Sequence, residues 1–154
     1  MKLYPVHIVI IIWNFGILII SNLIKCLSSF VCGWTPNCML KYNDNILLVG
    51  KYTSTNGIYI IDIQKYEIIK QIEWFKDANT IIKLNQDNLI LVGGRYKDNN
   101  YSMILYEFDT NNNSLIMIKE KNQIHNSYIK NIVVLDYIFI SCSDDGIKFW
   151  NLPK

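Results

Sequence analysis

The chain has 154 residues, of which 51% are hydrophobic and 18% charged, and its net charge is +2. That balance excludes a disordered chain, and the length fits one domain with a sizeable core. The cations are dispersed, with no cluster beyond the lysines around Lys119, so the basic face that nucleic-acid binding needs is not expected.

β-Branched and aromatic residues dominate and Ala occurs only at Ala78, which favours strands over helices. The first element is the apolar run VHIVIIIWNFGILIISNLI, residues 6–24, flanked by Lys2 and Lys25. Its length suits a bilayer span or a signal segment. His7, Asn14, Ser21 and Asn22 interrupt it, and polar groups on a lone helix in lipid are costly. Two buried strands broken at NFG fit the same residues. Periodicity alone does not separate the two readings. Cys26, Cys32, Cys38 and Cys142 have neither CxxC spacing nor a nearby His, so free buried thiols in a reducing compartment are expected, with no metal.

Further along, three elements recur. Segments closing on an aromatic or aliphatic residue followed by Asp or Asn end at Trp13–Asn14, Ile61–Asp62, Phe108–Asp109 and Trp150–Asn151, with spacings of 48, 47 and 42 residues. Upstream of the last three stand NDNILLVG, QDNLILVGG and LDYIFISCS, each an Asp-bearing turn, an apolar run and small residues. After Asp62 and Asp109 come polar turns leading into IQKYEIIKQI and TNNNSLIMIKEK. Each unit thus holds about four short strands in roughly 45 residues, the period of a β-propeller blade. One blade cannot cover its own faces, so the units are expected to stack, which explains strands that are apolar almost throughout. The expected units are 29–76, 77–121 and 122–154, the last without its outer strand. Residues 1–28 contribute strands of an incomplete blade, with a signal or anchor helix as the alternative. The fold class is all-β, an antiparallel partial propeller of about three four-stranded blades.

The last unit carries His125, Ser141, Ser143, Asp144–Asp145–Gly146, Ile147 and Trp150–Asn151. In these residues the chain resembles the WD-repeat propeller family. It departs from the family pattern in Ile124, where Gly is usual, and in Asn151, where Asp is usual; Ile61 and Phe108 take the Trp position in the middle units. The resemblance implies a buried hydrogen-bonded tetrad running from Trp150 through Ser141 to His125 and Asp145, with Ser143 as the other candidate serine. It also implies a non-enzymatic scaffold that binds protein or peptide partners through loops or the top face of a ring. DDG is expected to supply the positive-φ residues of a tight hairpin.

Other chemistry is weaker. His125, Asp145 and a Ser suggest a hydrolase triad, but no nucleophile elbow or Gly-rich oxyanion loop accompanies them. Asp144 and Asp145 are adjacent in a turn, unsuited to general acid–base work. VGGRYKDNN, residues 92–100, has neither GxGxxG nor GK[ST] and reads as a long hairpin loop. Trp34, Trp74 and Tyr96 would be candidate partner anchors if exposed on loops, but core packing is the expected role of each. No catalytic residue, cofactor or metal is expected. A closed ring needs about four to eight blades, so the chain represents about half a ring, completed by further sequence, an oligomer or a second chain. The expected location is cytoplasmic, with a membrane-associated protein tethered by residues 6–24 as the alternative.

Overall fold

A computed structural model describes residues 36–51, 57–73, 75–84, 88–96, 100–135 and 138–151. The run 6–24, with His7, Trp13 and Asn14, lies outside the described residues, as do Cys26, Cys32, Trp34 and Trp74. Among the described residues no helix is long and apolar enough to cross a membrane.

The described strands form three antiparallel meanders. The first sheet is β1 (Pro36–Lys41), β2 (Ile46–Lys51), β3 (Ile58–Asp62) and β4 (Glu67–Ile72), paired in chain order. The second is β5 (Asp77–Lys83), β6 (Leu89–Arg95), β7 (Tyr101–Asp109) and β8 (Ser114–His125). The third has β9 (Asn131–Leu135), β10 (Ile138–Ser143) and β11 (Gly146–Asn151), with no fourth strand among the described residues. Chain-order pairing follows from the short loops, because strands joined by tight turns have no room to cross over. β8 continues past residue 121 to His125, with Gln123 at φ 50°.

The acids that end β3 and β7 act on the turns that follow. Asp62 Oδ1 accepts the backbone N–H groups of Gln64 (2.8 Å) and Lys65 (2.9 Å). Asp109 Oδ1 accepts those of Asn111 (2.9 Å) and Asn112 (3.3 Å). Each turn closes on a left-handed residue four positions on, Tyr66 at φ 57° and Asn113 at φ 45°. A short acceptor side chain at the strand end therefore satisfies turn amides that no ladder reaches. Asn151 ends β11 opposite Ile138.

Period-two alternation sends neighbouring residues of one strand to opposite faces. In β6, Ile90 and Val92 join Leu48, Ile58 and Ile60 of the first sheet in one core cluster, and Tyr42 stacks on Phe108 with ring centroids 4.2 Å apart. Leu91 points the other way, joining Met103 and Leu105 of its own sheet and Ile132 and Phe139 of the third in a second cluster. The middle sheet is therefore covered on both faces, which is why β6 reads as an unbroken apolar run. Burying each such side chain contributes about 1.5–3 kcal/mol. The first two sheets approach closely at Gly50, where an added methyl would sit 2.6 Å from the Ala78 carbonyl oxygen. Cys38 also faces this seam, its thiol donating to Ala78 O at 3.4 Å, and burial pushes that thiol up to about 12. Val92–Arg95 belong to β6, so the stretch 92–100 is not one long loop. Tyr96 is buried in the first cluster, against Phe75, in the core-packing role expected for it.

Candidate functional site

The third sheet pairs Ser143 with Gly146 across a turn of two acids, Asp144 and Asp145. Of these four residues only Gly146 has positive φ, at 123°. Asp144–Asp145–Gly146 thus supplies the positive φ of the hairpin at its glycine alone, which takes up the reversal because it has no Cβ to clash.

This turn places Asp145 beside His125, the last residue of β8. The His125 Nδ1 group is hydrogen-bonded to Asp145 Oδ1, and the backbone N–H of Asn126 donates to Asp145 Oδ2 at 2.8 Å. On the other side of the ring, His125 Nε2 lies 2.8 Å from Ser141 Oγ. Trp150 Nε1–H donates to the same oxygen at 2.8 Å. One assignment satisfies every member: Trp150 N–H to Ser141 O, Ser141 O–H to His125 Nε2, and His125 Nδ1–H to Asp145. The structure thus brings His125, Ser141, Asp145 and Trp150 into one chain, with Ser141 and not Ser143 in the serine position. Each hydrogen bond polarises the next, and the two central members, His125 and Ser141, are buried.

The surroundings hold the chain in place. Trp150 stacks on Phe139 at 6.2 Å, and the Lys121 ammonium stands 4.2 Å over its ring centroid. Lys148 Nζ donates to Ile124 O at 2.6 Å and lies 3.8 Å from Asp145 Oδ2. The backbone N–H of Asn126 is the main influence holding the Asp145 carboxyl down at about 2, with further help from His125. Asp144 points outward to an ion pair with Lys130, which lowers its carboxyl below the usual range. Lys121, Lys148 and Asn126 gave no sequence signal, because isolated lysines and a backbone amide carry no motif.

The arrangement is poorly suited to nucleophilic chemistry. Ser141 is 0% exposed, its Oγ already accepts from Trp150, and no face of it is open to a substrate. Among the described residues no cluster of three or more His, Cys, Asp or Glu is placed to hold a metal ion.

The polar chain occurs in one of the three sheets. Phe139, the second residue of β10, pairs with Trp150; Leu47, the second residue of β2, pairs with Ile61; Ile90, the second residue of β6, pairs with Tyr106. Tyr106, not Phe108, therefore occupies the tryptophan position of the second sheet. β7 runs longer than β3 before reaching its turn, which displaced the sequence alignment. The fourth residues of the same strands are Ser141, Val49 and Val92. Where the third sheet places serine, the first two place valine.

No family model matches the chain, and no curated protein matches it in sequence. A chain in a structure described as "Crystal Structure of Mitotic Checkpoint Complex" is similar to it in fold, with a TM-score of 0.62 at 14% identity. The match covers 76% of this chain and 35% of that one, so this chain spans about a third of its length. Such a likeness speaks to fold alone. With the stacked meanders above, it gives an all-β architecture, a partial propeller of antiparallel blades.

Two measurements check the hydrogen-bonded chain. Ser141→Ala leaves the Trp150 N–H and the His125 ring nitrogen unpaired in a buried site and is expected to cost about 1–3 kcal/mol in urea unfolding; an unchanged midpoint contradicts the network. The depressed Asp145 carboxyl stabilises the fold fully above its unfolded pKa, and that contribution is lost as pH falls through about 2. The stability gap between the parent and Asp145→Asn should therefore be constant near neutrality and narrow from about pH 5 downward. A gap of equal size at both ends of that range refutes the assignment.

Proposed function

We propose that this chain is a non-enzymatic, WD-repeat-like scaffold that binds protein partners and works as part of a larger ring. The observation that carries this reading is the open face of the third sheet. Val133 and Leu135 on β9 and Ile147 and Phe149 on β11 are 47%, 49%, 65% and 68% exposed. Register aligns Val133, Ile140 and Phe149 across the three strands, so these side chains form a continuous apolar face. Contiguous apolar surface of this kind marks an interaction site.

The occupant follows from the two interfaces already formed. The first sheet packs on the second, and the second on the third, each time in the same sense and through apolar β-sheet faces. The open face continues that series, so it fits the apolar face of another β-sheet supplied by a partner protein. The tetrad then has a structural role, tying the hairpin at Asp144–Asp145 to the start of its blade and keeping β11 in position for that partner. The free thiols of Cys38 and Cys142 support a reducing, cytoplasmic location.

A comparative capture experiment tests the reading. The tagged parent, an Ile147→Asp/Phe149→Asp double variant and an Ile118→Asp control on exposed β8 are compared by quantitative mass spectrometry. Proteins held by the parent and the control should be lost from the double variant. Identical capture by all three rules out this face as the binding surface.

A further inference from the structure

The chain carries 15 lysines and arginines, and Arg95 is the one arginine among them. It ends β6, and Asp77, which begins β5, stands directly opposite it in the ladder. On its other side Arg95 is opposite Tyr101, which is opposite His125. Residues directly opposite one another share a face. The row Asp77, Arg95, Tyr101 and His125 therefore lies at one end of the second sheet, on the face turned to the third, where Tyr101 joins the second core cluster. Tyr128, between β8 and β9, packs its ring on Tyr101 with centroids 5.1 Å apart.

Arg95 Nε lies 2.6 Å from Asp77 Oδ2. The Asp77 side chain is 0% exposed, whereas that of Arg95 is 24% exposed. Neither Asp77 oxygen makes an aligned hydrogen bond, so the contact is an ion pair without further support. Such a buried pair contributes little to stability, and apolar side chains of similar volume would hold the seam as well. Lysine, the cation used at every other position, would also neutralise Asp77. What lysine cannot supply is a second pair of donors in a fixed plane. The terminal nitrogens Nη1 and Nη2 of Arg95 donate to no described residue, and they reach solvent.

We propose that the Nη1–Nη2 edge of Arg95 is a docking point for the carboxylate of an acidic side chain on a protein partner. A guanidinium takes a carboxylate through two parallel N–H···O bonds. Asp77 occupies the Nε edge and offsets part of the charge, and Lys76 is the other described cation acting on that carboxylate. This balance suits a singly charged carboxylate, whereas a phosphate group calls for a cluster of cations. The contact is polar and belongs to the second sheet. It rests on the reading of the chain as a protein-binding scaffold and not on the open apolar face of the third sheet.

Because Arg95 is the only arginine, the full chain grown with isotope-labelled arginine gives one Nε–H signal and one set of Nη–H signals in NMR spectra. The probes, added at constant ionic strength, are the blocked peptide acetyl-Gly-Glu-Gly-amide, its Gln counterpart and inorganic phosphate. The Glu peptide should shift the Nη signals saturably, and the Gln peptide should leave them in place. The Ile147→Asp/Phe149→Asp protein should respond as the parent does, which separates a fault here from a fault in the open-face reading. Arg95→Lys keeps a cation against Asp77; in it the response of the Tyr101 backbone amide to the Glu peptide should be lost. The contrast between Glu and Gln in the parent stands whether or not that variant folds. No saturable shift with the Glu peptide, equal shifts with Glu and Gln, saturation by phosphate at lower concentration, a Tyr101 response that survives in Arg95→Lys, or a response lost in the double variant overturns the proposal.

Discussion

A small antiparallel sheet with apolar side chains on both faces is not stable in water by itself. Its ladder hydrogen bonds satisfy the backbone, but each exposed face leaves a layer of isoleucine, leucine and valine against solvent. Face-to-face stacking removes that penalty, and everything else in this molecule depends on it. The middle sheet illustrates the constraint most fully: Ile90 and Val92 serve one neighbour while Leu91 serves the other. Close approach then restricts residue choice, as at Gly50 against Ala78, where a side chain would hold the sheets apart.

Within this frame the same structural position is filled in two ways. Val92 and Tyr106 line the seam between the first two sheets, whereas Ser141 and Trp150 in the third sheet form a hydrogen-bonded chain with His125 and Asp145. Replacing both partners of a buried hydrogen bond by apolar groups is close to neutral, whereas removing one is costly. Repeats can therefore lose the polar set as a unit without losing the fold. The third sheet has one described neighbour instead of two, and its tetrad links β8 of the second sheet to the β10–β11 hairpin.

The architecture was legible because it depends on period. Strand-length apolar runs bounded by Asp and Asn recur at 42 to 48 residues, and Asp62 and Asp109 have a local job that fixes them at strand ends. The tetrad was legible only through the resemblance of His125, Ser141, Asp145 and Trp150 to the WD-repeat pattern, and the choice between Ser141 and Ser143 needed the structure. Register was not legible in the second sheet. Tyr106 and Phe108 are two residues apart on the same face of a strand, and only pairing with Ile90 distinguishes them. Composition placed a positive φ within Asp144–Asp145–Gly146 and left open which residue carries it; it falls on Gly146. The open face of the third sheet was invisible in composition, since Ile147 and Phe149 look like core residues until their neighbours are known.

Native-state hydrogen exchange under rising denaturant tests the stacking account most directly. The middle sheet, enclosed on both sides, should exchange at β6 and β7 only through global unfolding. The β9–β11 amides should open at lower free energy and before the others. Equal protection of all three sheets, or a third sheet that outlasts the second, would mean that each sheet is stable by itself and that stacking is not what holds this protein together.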